Sequence, residues 1–329
     1  MHSDHPSRPG RRRNLGLLAA GAVASAAAGL HGVAAAQPRT PLKEVRIGYQ
    51  KYGTLTLLKG RGTLEKRLAA HNIAVKWTEF PAGPVLLEGL NVGSIDFGTV
   101  GEAPPIFAQA AGARLVYVGH EPASPSSEAI VVPKGSTLRT VAELRGKKVA
   151  LNKGSNVHFL LVRALEKAGV PWNAIQPIYL PPADARAAFE RGSVDAWVIW
   201  DPFLAAAEQQ LGARVLADGR GLVSNHQFYL AARSFAEQHA DITRILLDEI
   251  AKVDDWGRAN PAEVAQILAV QTGLPRNVVE LAGSRYAYGV KPMSHEVLRE
   301  QQRIADAFHN LKLIPKPIIV ADALLTASL

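Results

Sequence analysis

The chain has no cysteine, only two methionines, and few aromatics: Phe, Trp and Tyr make up 6% of its 329 residues. Without cysteine there are no disulfides, thiolate-bound zinc sites, iron–sulfur clusters, c-type haem attachments or cysteine nucleophiles. A lipid anchor on an N-terminal cysteine is excluded as well. Other catalytic signatures are missing: there is no nucleophile elbow, Walker lysine loop, His-Glu-x-x-His helix or dinucleotide fingerprint. The histidines beyond residue 36 stand apart from one another, so no metal site and no cofactor are expected. What is present is 47% hydrophobic and 20% charged, enough for a sizeable core. A chain of this length usually forms two domains.

Lys and Arg outnumber Asp and Glu by 37 to 29, a net charge of +8. Much of the excess sits at the start. Arg8, Arg11, Arg12 and Arg13 stand against Asp4, ahead of a weakly apolar Ala/Gly-rich run to Leu30 and the small residues Ala34-Ala35-Ala36. This is the pattern of a cleavable secretory leader over residues 1–36, and the paired arginines suggest the twin-arginine route. The apolar run is short and poor in Leu and Ile for a membrane span. The remaining charge is scattered, with Lys147-Lys148 its longest run, so nucleic acid is not an expected partner.

From Val45 to about residue 217, short strands alternate with single helices, which implies right-handed βαβ units and mostly parallel sheets. Helices are expected over 54–70, 84–92 and 104–111, with strands at 45–49, 73–80, 94–100 and 114–119. The pattern restarts at Lys147. Asn156 to Ala168 is the best helix, with Val157, Leu160, Leu161, Ala164, Leu165 and Ala168 on one face, Ser155 at its N-cap and Gly169 beyond its end. Phe80-Pro81-Ala82-Gly83, a helix and Gly93-Ser94-Ile95-Asp96 are echoed by Leu180-Pro181-Pro182-Ala183, a helix and Gly192-Ser193-Val194-Asp195. After Tyr229 the pattern is helical, over 234–258, 261–272, 275–285 and 294–311. The expected architecture is two α/β lobes, 42–130 plus 229–329 and 131–228. Two crossover strands near Glu128–Val132 and Gln227–Ala231 form a hinge, and the C-terminal helices pack on the first lobe.

In open α/β sheets ligands bind beyond the carboxyl ends of the strands. Those ends nominate Gln50, Gly101-Glu102, Gly154-Ser155 and Trp200-Asp201. Gly154-Ser155 opens the best helix, whose first N–H groups and dipole suit an anion. Ser155 offers a hydroxyl there, and His158 in the first turn is expected to stay neutral. On this reading an Asp at 155 keeps the cap and abolishes anion binding. Ser155 as a plain N-cap and His158 as a surface residue are the alternatives. Asp201-Pro202 reads first as a helix start. Trp197 and Trp200 point to opposite faces of one strand, so one can be core while the other, or Phe228, walls a cleft. Ser127, just before the first crossing, can donate to an anion. Glu102 accepts hydrogen bonds when ionised and does not favour an anion beside it.

Several strings resemble the periplasmic aliphatic-sulfonate-binding proteins of ABC importers. They are Ile47-Gly48-Tyr49-Gln50-Lys51, Glu79-Phe80-Pro81-Ala82-Gly83-Pro84, Leu90-Asn91-Val92-Gly93-Ser94-Ile95-Asp96, the run Pro104 to Gly112, Pro182 to Phe189, and Val194-Asp195-Ala196-Trp197-Val198-Ile199-Trp200-Asp201-Pro202. The resemblance spans most of the chain after the leader, in the same order. It implies a type II periplasmic-binding fold, a monomer that closes on a sulfonate anion and delivers it to an inner-membrane permease. Taurine, nitrate or a sulfate ester are alternative ligands on this framework. The implied contacts fall on Gln50, Gly101-Glu102, Gly154-Ser155 and Trp200-Asp201. Family members often carry Asp where Glu102 stands, and Lys51-Tyr52-Gly53 is one residue longer than the family form. Sulfinate desulfinases of the same superfamily use a cysteine, which this chain lacks.

Overall fold

Two five-stranded sheets, each covered on both faces by helices, account for the alternation in the sequence. The computed structural model describes residues 42–325, and the expected leader at 1–36 lies outside them. The first half supplies β1 (Glu44–Tyr49), α1 (Thr54–Arg61), α2 (Thr63–Ala69), β2 (Ala74–Glu79), α3 (Gly83–Asn91), β3 (Phe97–Gly101), α4 (Pro104–Ala110) and β4 (Leu115–His120). The second supplies β5 (Glu128–Val132), β6 (Lys148–Leu151), α5 (Asn156–Lys167), β7 (Gln176–Tyr179), α6 (Pro182–Glu190), β8 (Ala196–Trp200), α7 (Phe203–Leu211) and β9 (Arg214–Asp218). The chain ends with β10 (Gln227–Ala232) and the helices α8 (Arg233–Gln238), α9 (Ala240–Ala259), α10 (Pro261–Thr272), α11 (Arg276–Gly283) and α12 (His295–Asn310).

The strand orders are β2-β1-β3-β10-β4 and β7-β6-β8-β5-β9, the same pattern twice. β1 pairs in parallel with β2 and β3, while β10 runs antiparallel between β3 and β4. β6, β7 and β8 repeat the parallel set, and β5 runs antiparallel between β8 and β9. Each sheet is therefore mixed, with one reversed strand among four that run together. The reversed strand is the one that enters from the other half of the molecule. β5 and β10 each belong wholly to one sheet. The chain changes sides in the loops before them, between His120 and Glu128 and between Asp218 and Gln227. Lobe boundaries at 130/131 and 228/229 would cut these two strands.

Alternation along the strands sets the layers. In the first sheet, Phe97, Tyr229 and Ala231 face Leu55, Leu58, Leu246 and Ile250 of α1 and α9, whereas Val100, Phe228 and Leu230 face Leu86, Ile106, Ile304 and Phe308 of α3, α4 and α12. In the second, Ile130, Val132 and Val198 face Val157, Leu160, Leu161 and Leu165 of α5. Ala129, Val131, Trp197 and Ile199 face Ala185, Phe189 and Leu204 of α6 and α7. Each fully buried Leu, Ile or Phe adds about 1.5–3 kcal/mol. Two expected helices are broken. Gly62, at φ 63° in the left-handed region, splits 54–70 into α1 and α2. The non-helical His239 splits 234–258 into α8 and α9.

The halves meet along two seams. Ala205 and Ala206 of α7 pack on Val278 and Ala282 of α11. On the other side, Phe107 and Phe308 from the first half pack on His158, and Phe159 packs on Phe308.

Candidate functional site

The carboxyl ends of β1, β3 and β8 converge on a cavity between the two sheets. Its wall includes Gln50, Tyr52, Thr99, Gly101, Ser127, Asn156, Trp200, Asp201, Asn225, Gln227 and Tyr286. The cavity holds about 40 Å³, room for a few waters.

Five expected residues meet here: Gln50, Gly101, Ser127, Trp200 and Asp201. Gln50 is positioned by its Nε2, which donates to Thr99 O at 3.2 Å. Gly101 lets the end of β3 approach α5, since a Cβ there would lie 3.0 Å from the Asn156 side chain. Ser127 Oγ donates to Ser124 O at 2.8 Å and accepts from Asn225 Nδ2 at 3.0 Å. Its proton is thus committed within the protein, and the expected donation to an anion is not available in this arrangement. Trp200 lines the cavity while Trp197 is buried in the core, as strand alternation requires.

Asp201 is buried, and its Oδ1 accepts the Ala205 N–H at 3.0 Å. That bond ties Asp201 to the first turn of α7, but the expected positions are shifted by one: the helix begins at Phe203, its N-cap is Pro202, and Asp201 lies one residue further out. Burial pushes the Asp201 carboxyl up to about 7, against the opposing pull of Arg285, whose Nη1 lies 3.5 Å away.

The expected anion cradle at the start of α5 is built otherwise. Ser155 Oγ donates to Asn152 O at 2.7 Å and makes no cap to the helix. Gly154, at φ 77°, donates its N–H to His158 Nδ1 at 3.2 Å. His158 is not a surface residue: it is fully buried among Phe107, Phe308, Trp172 and Tyr179. Burial, with Lys153 nearby, pulls its pKa down to about 4, so the expected neutral form is held, by apolar packing first. Because Gly154 is the donor, the neutral ring carries its proton on Nε2, which has no partner. Gly154, Ser155 and His158 do not line the cavity; the next residue, Asn156, does.

Glu102 also lies off the cavity. The wall alternates: Gly101 and Asn225 face the ligand cavity, whereas Glu102 and His226 face a second cavity of about 390 Å³ behind it. Phe228 lines that second space, so Trp200 is the large apolar surface of the cleft. Glu102 Oε2 accepts the His226 N–H at 3.3 Å, its Oε1 is unpartnered, and burial pushes its carboxyl up to about 8. Burial and the neighbouring Glu102 also raise Glu128 well above the usual range.

Asn156, Asn225, Gln227 and Tyr286 were not anticipated. Asn156 follows the nominated Ser155 directly, and Asn225 and Gln227 flank the second crossing. Tyr286 comes from beyond α11, and no local sequence pattern ties it to the strand ends. Among the described residues no Lys, Arg or His lines the cavity. It offers neutral donors: the amides of Gln50 and Gln227, the Trp200 indole and the Tyr286 hydroxyl, while both Nδ2 protons of Asn156 are taken by Glu128 and Asn225.

Known proteins resemble this chain in sequence and fold. Residues 38–269 match the model of the NMT1-like family. An aliphatic sulfonates-binding protein of Escherichia coli (strain K12) is 49% identical over 276 residues, 83% of this chain and 86% of its own length. The alkanesulfonate-binding protein SsuA from Xanthomonas axonopodis pv. citri, solved bound to MOPS, superposes with a TM-score of 0.83 at 43% identity, covering 88% of this chain and 100% of that one. The periplasmic aliphatic sulphonate binding protein SsuA from Escherichia coli superposes with a TM-score of 0.78 at 46% identity, covering 87% and 94%.

Proposed function

The chain belongs to the NMT1-like family, and from that membership we propose that it is the periplasmic substrate-binding protein of an ABC importer, capturing aliphatic sulfonates between its halves. The observation that carries the reading is the cavity wall itself. A sulfonate is permanently anionic with three acceptor oxygens. Neutral N–H and O–H donors satisfy it without competing for a proton. Gln50, Trp200, Gln227 and Tyr286 supply such donors, and the Trp200 ring supplies apolar surface for the alkyl chain.

The protein binds rather than transforms its ligand. It has no cysteine, and among the described residues the Ser155–His158 pair lies off the cavity and is engaged elsewhere: Ser155 donates to a backbone carbonyl and His158 accepts from Gly154. It is exported by the leader at 1–36, free of a lipid anchor, and works as a monomer that docks on the permease in the inner membrane. Among the described residues no helix is long and apolar enough to cross a membrane.

A thermal-shift panel on the leader-free chain tests this reading, in a buffer free of sulfonates. A ligand that binds only the native state adds about 2.7 kcal/mol at a hundredfold excess over Kd. Methanesulfonate, pentanesulfonate and MOPS are expected to raise Tm. A shift with nitrate alone would assign the cleft to another anion. A shift with taurine alone would narrow it to amino-sulfonates. Product released on prolonged incubation would make the protein an enzyme.

A further inference from the structure

We propose that Arg285 is the charge-compensating closure residue of the cleft: from the opposite half it docks behind Asp201 and so lets a cavity that contains a carboxylate retain an anion. This rests on the sulfonate reading and deepens it. Among the described residues Asp201 is the only Asp or Glu in the cavity wall, and no Lys, Arg or His lines the wall to offset it. An ionised Asp201 facing a sulfonate in a closed, water-poor space would repel it.

The compensating cation comes from behind. Arg285 Nη1 lies 3.5 Å from both carboxylate oxygens of Asp201, and Nη2 lies 2.6 Å from Glu208 Oε2. Arg285 follows α11, which packs with the first sheet through α10, whereas Asp201 and Glu208 belong to β8 and α7 of the second. The ion pairs therefore span the junction, beside the small apolar seam of Ala205 and Ala206 against Val278 and Ala282. When the halves part, Arg285 leaves, and Asp201 faces an open, solvated cleft. When they close, charge compensation and apolar contact form together.

The groups facing Asp201 are Arg285, Glu208 and the Tyr52 hydroxyl, which donates to Ala282 O at 2.5 Å. Arg285 is itself outside the wall, so it is a positioning residue acting through Asp201. Its loss should matter most where Asp201 is ionised. With the guanidinium gone, the buried carboxyl holds its proton to higher pH, and affinity then falls as pH rises.

Calorimetric titration with pentanesulfonate at pH 5.5 and 8.5, on the wild type, R285Q, R285K and E208Q, tests the assignment. R285Q is expected to bind about a hundredfold more weakly at pH 8.5, with the deficit shrinking about tenfold at pH 5.5 as Asp201 takes up a proton. R285K should recover most of the affinity at pH 8.5. E208Q should stay within about threefold of wild type at both pH values, because the more exposed Glu208 does not face the ligand. An R285Q deficit equal at both pH values, or an E208Q loss as large as that of R285Q, would reduce Arg285 to a packing latch and overturn the inference alone. If R285Q does not fold, an R285K loss of a hundredfold has the same force. A wild type that binds no sulfonate overturns the functional reading, and this inference with it.

Discussion

The backbone N–H of Gly154 donates to Nδ1 of His158 at 3.2 Å, and this one bond defines the start of α5. It takes up an N–H just ahead of the N-cap Ser155 that would otherwise be free for an anion. It also fixes the imidazole tautomer, with the Nε2 proton enclosed by aromatic rings from both halves.

The first prediction follows from that enclosure. His158 stays neutral in the folded chain down to about pH 4. In the unfolded chain it titrates near 6.5. Between those values the unfolded state binds the extra proton. The contribution to stability is complete above pH 6.5 and is lost as pH falls toward 4, on the order of 3 kcal/mol across the window. H158F leaves the Gly154 N–H unpaired and is less stable at pH 7.5, but its stability changes less with pH. Urea midpoints of both proteins between pH 4.5 and 7.5 read the difference. Parallel pH dependences would show that His158 is not enclosed as described.

The second prediction concerns Ser155, which the sequence marks as a cap and anion donor. In the structure it is 1% exposed and donates to Asn152 O at 2.7 Å. A carboxylate cannot donate that bond, and its charge would be buried. Ser155→Asp is therefore expected to lose more than about 2 kcal/mol of stability, and Ser155→Ala about 1 kcal/mol. This reverses the expectation, from the sequence, of a folded but non-binding Asp variant. Chemical denaturation of the two variants decides it. An Asp variant as stable as wild type would restore the cap reading.

A third prediction has the opposite pH sign. The folded chain keeps the Glu102 proton up to about pH 8, whereas the unfolded chain releases it near 4.5. The unfolded state binds fewer protons between these values. Stability is therefore full below pH 4.5 and declines as pH rises to 8. E102Q removes the ionisation and keeps an acceptor for the His226 N–H. Relative to wild type, it should gain on the order of 3 kcal/mol between pH 5 and 8. Because Glu102 lies behind the wall, pentanesulfonate affinity at pH 5.5 should change little. An E102Q stability curve that tracks wild type over this range would contradict the assignment.

Local pattern carried much of this far. The amphipathic repeat from Val157 to Leu165 places α5, and alternation separates Trp197 from Trp200. The strand-end rule finds Gln50, Gly101 and Asp201. It failed where a side chain's direction depends on distant packing. Glu102 follows Gly101 in sequence, yet the turn of the backbone sends it to the other side of the wall. His158 looks exposed in its first helical turn because Phe107 and Phe308, which cover it, come from the other half of the molecule. Gly62 broke a helix whose apolar spacing runs on past it, since its left-handed φ leaves no trace in hydrophobic periodicity. The resemblance carried the ligand class, which no local spacing could.

The fourth prediction isolates closure from folding. At the end of β3, a Cβ on Gly101 would fall 3.0 Å from Cβ and Cγ of Asn156, across the junction. Asn156 has little freedom to yield. Its Nδ2 donates to the Glu128 carboxylate and also to Asn225 Oδ1 at 3.2 Å. The clash arises only when the halves meet, so opening relieves it. Gly101→Ala is thus expected to leave ligand-free stability within about 1 kcal/mol of wild type. A methyl that must shift a pinned side chain costs about 1–3 kcal/mol in the closed form, a loss of roughly five- to 150-fold in sulfonate affinity. Thermal melts with and without pentanesulfonate separate the two quantities. A ligand-free melt far below wild type would place the clash in the folded chain at all times, and an undiminished ligand-induced shift would mean that the two halves do not close on this contact.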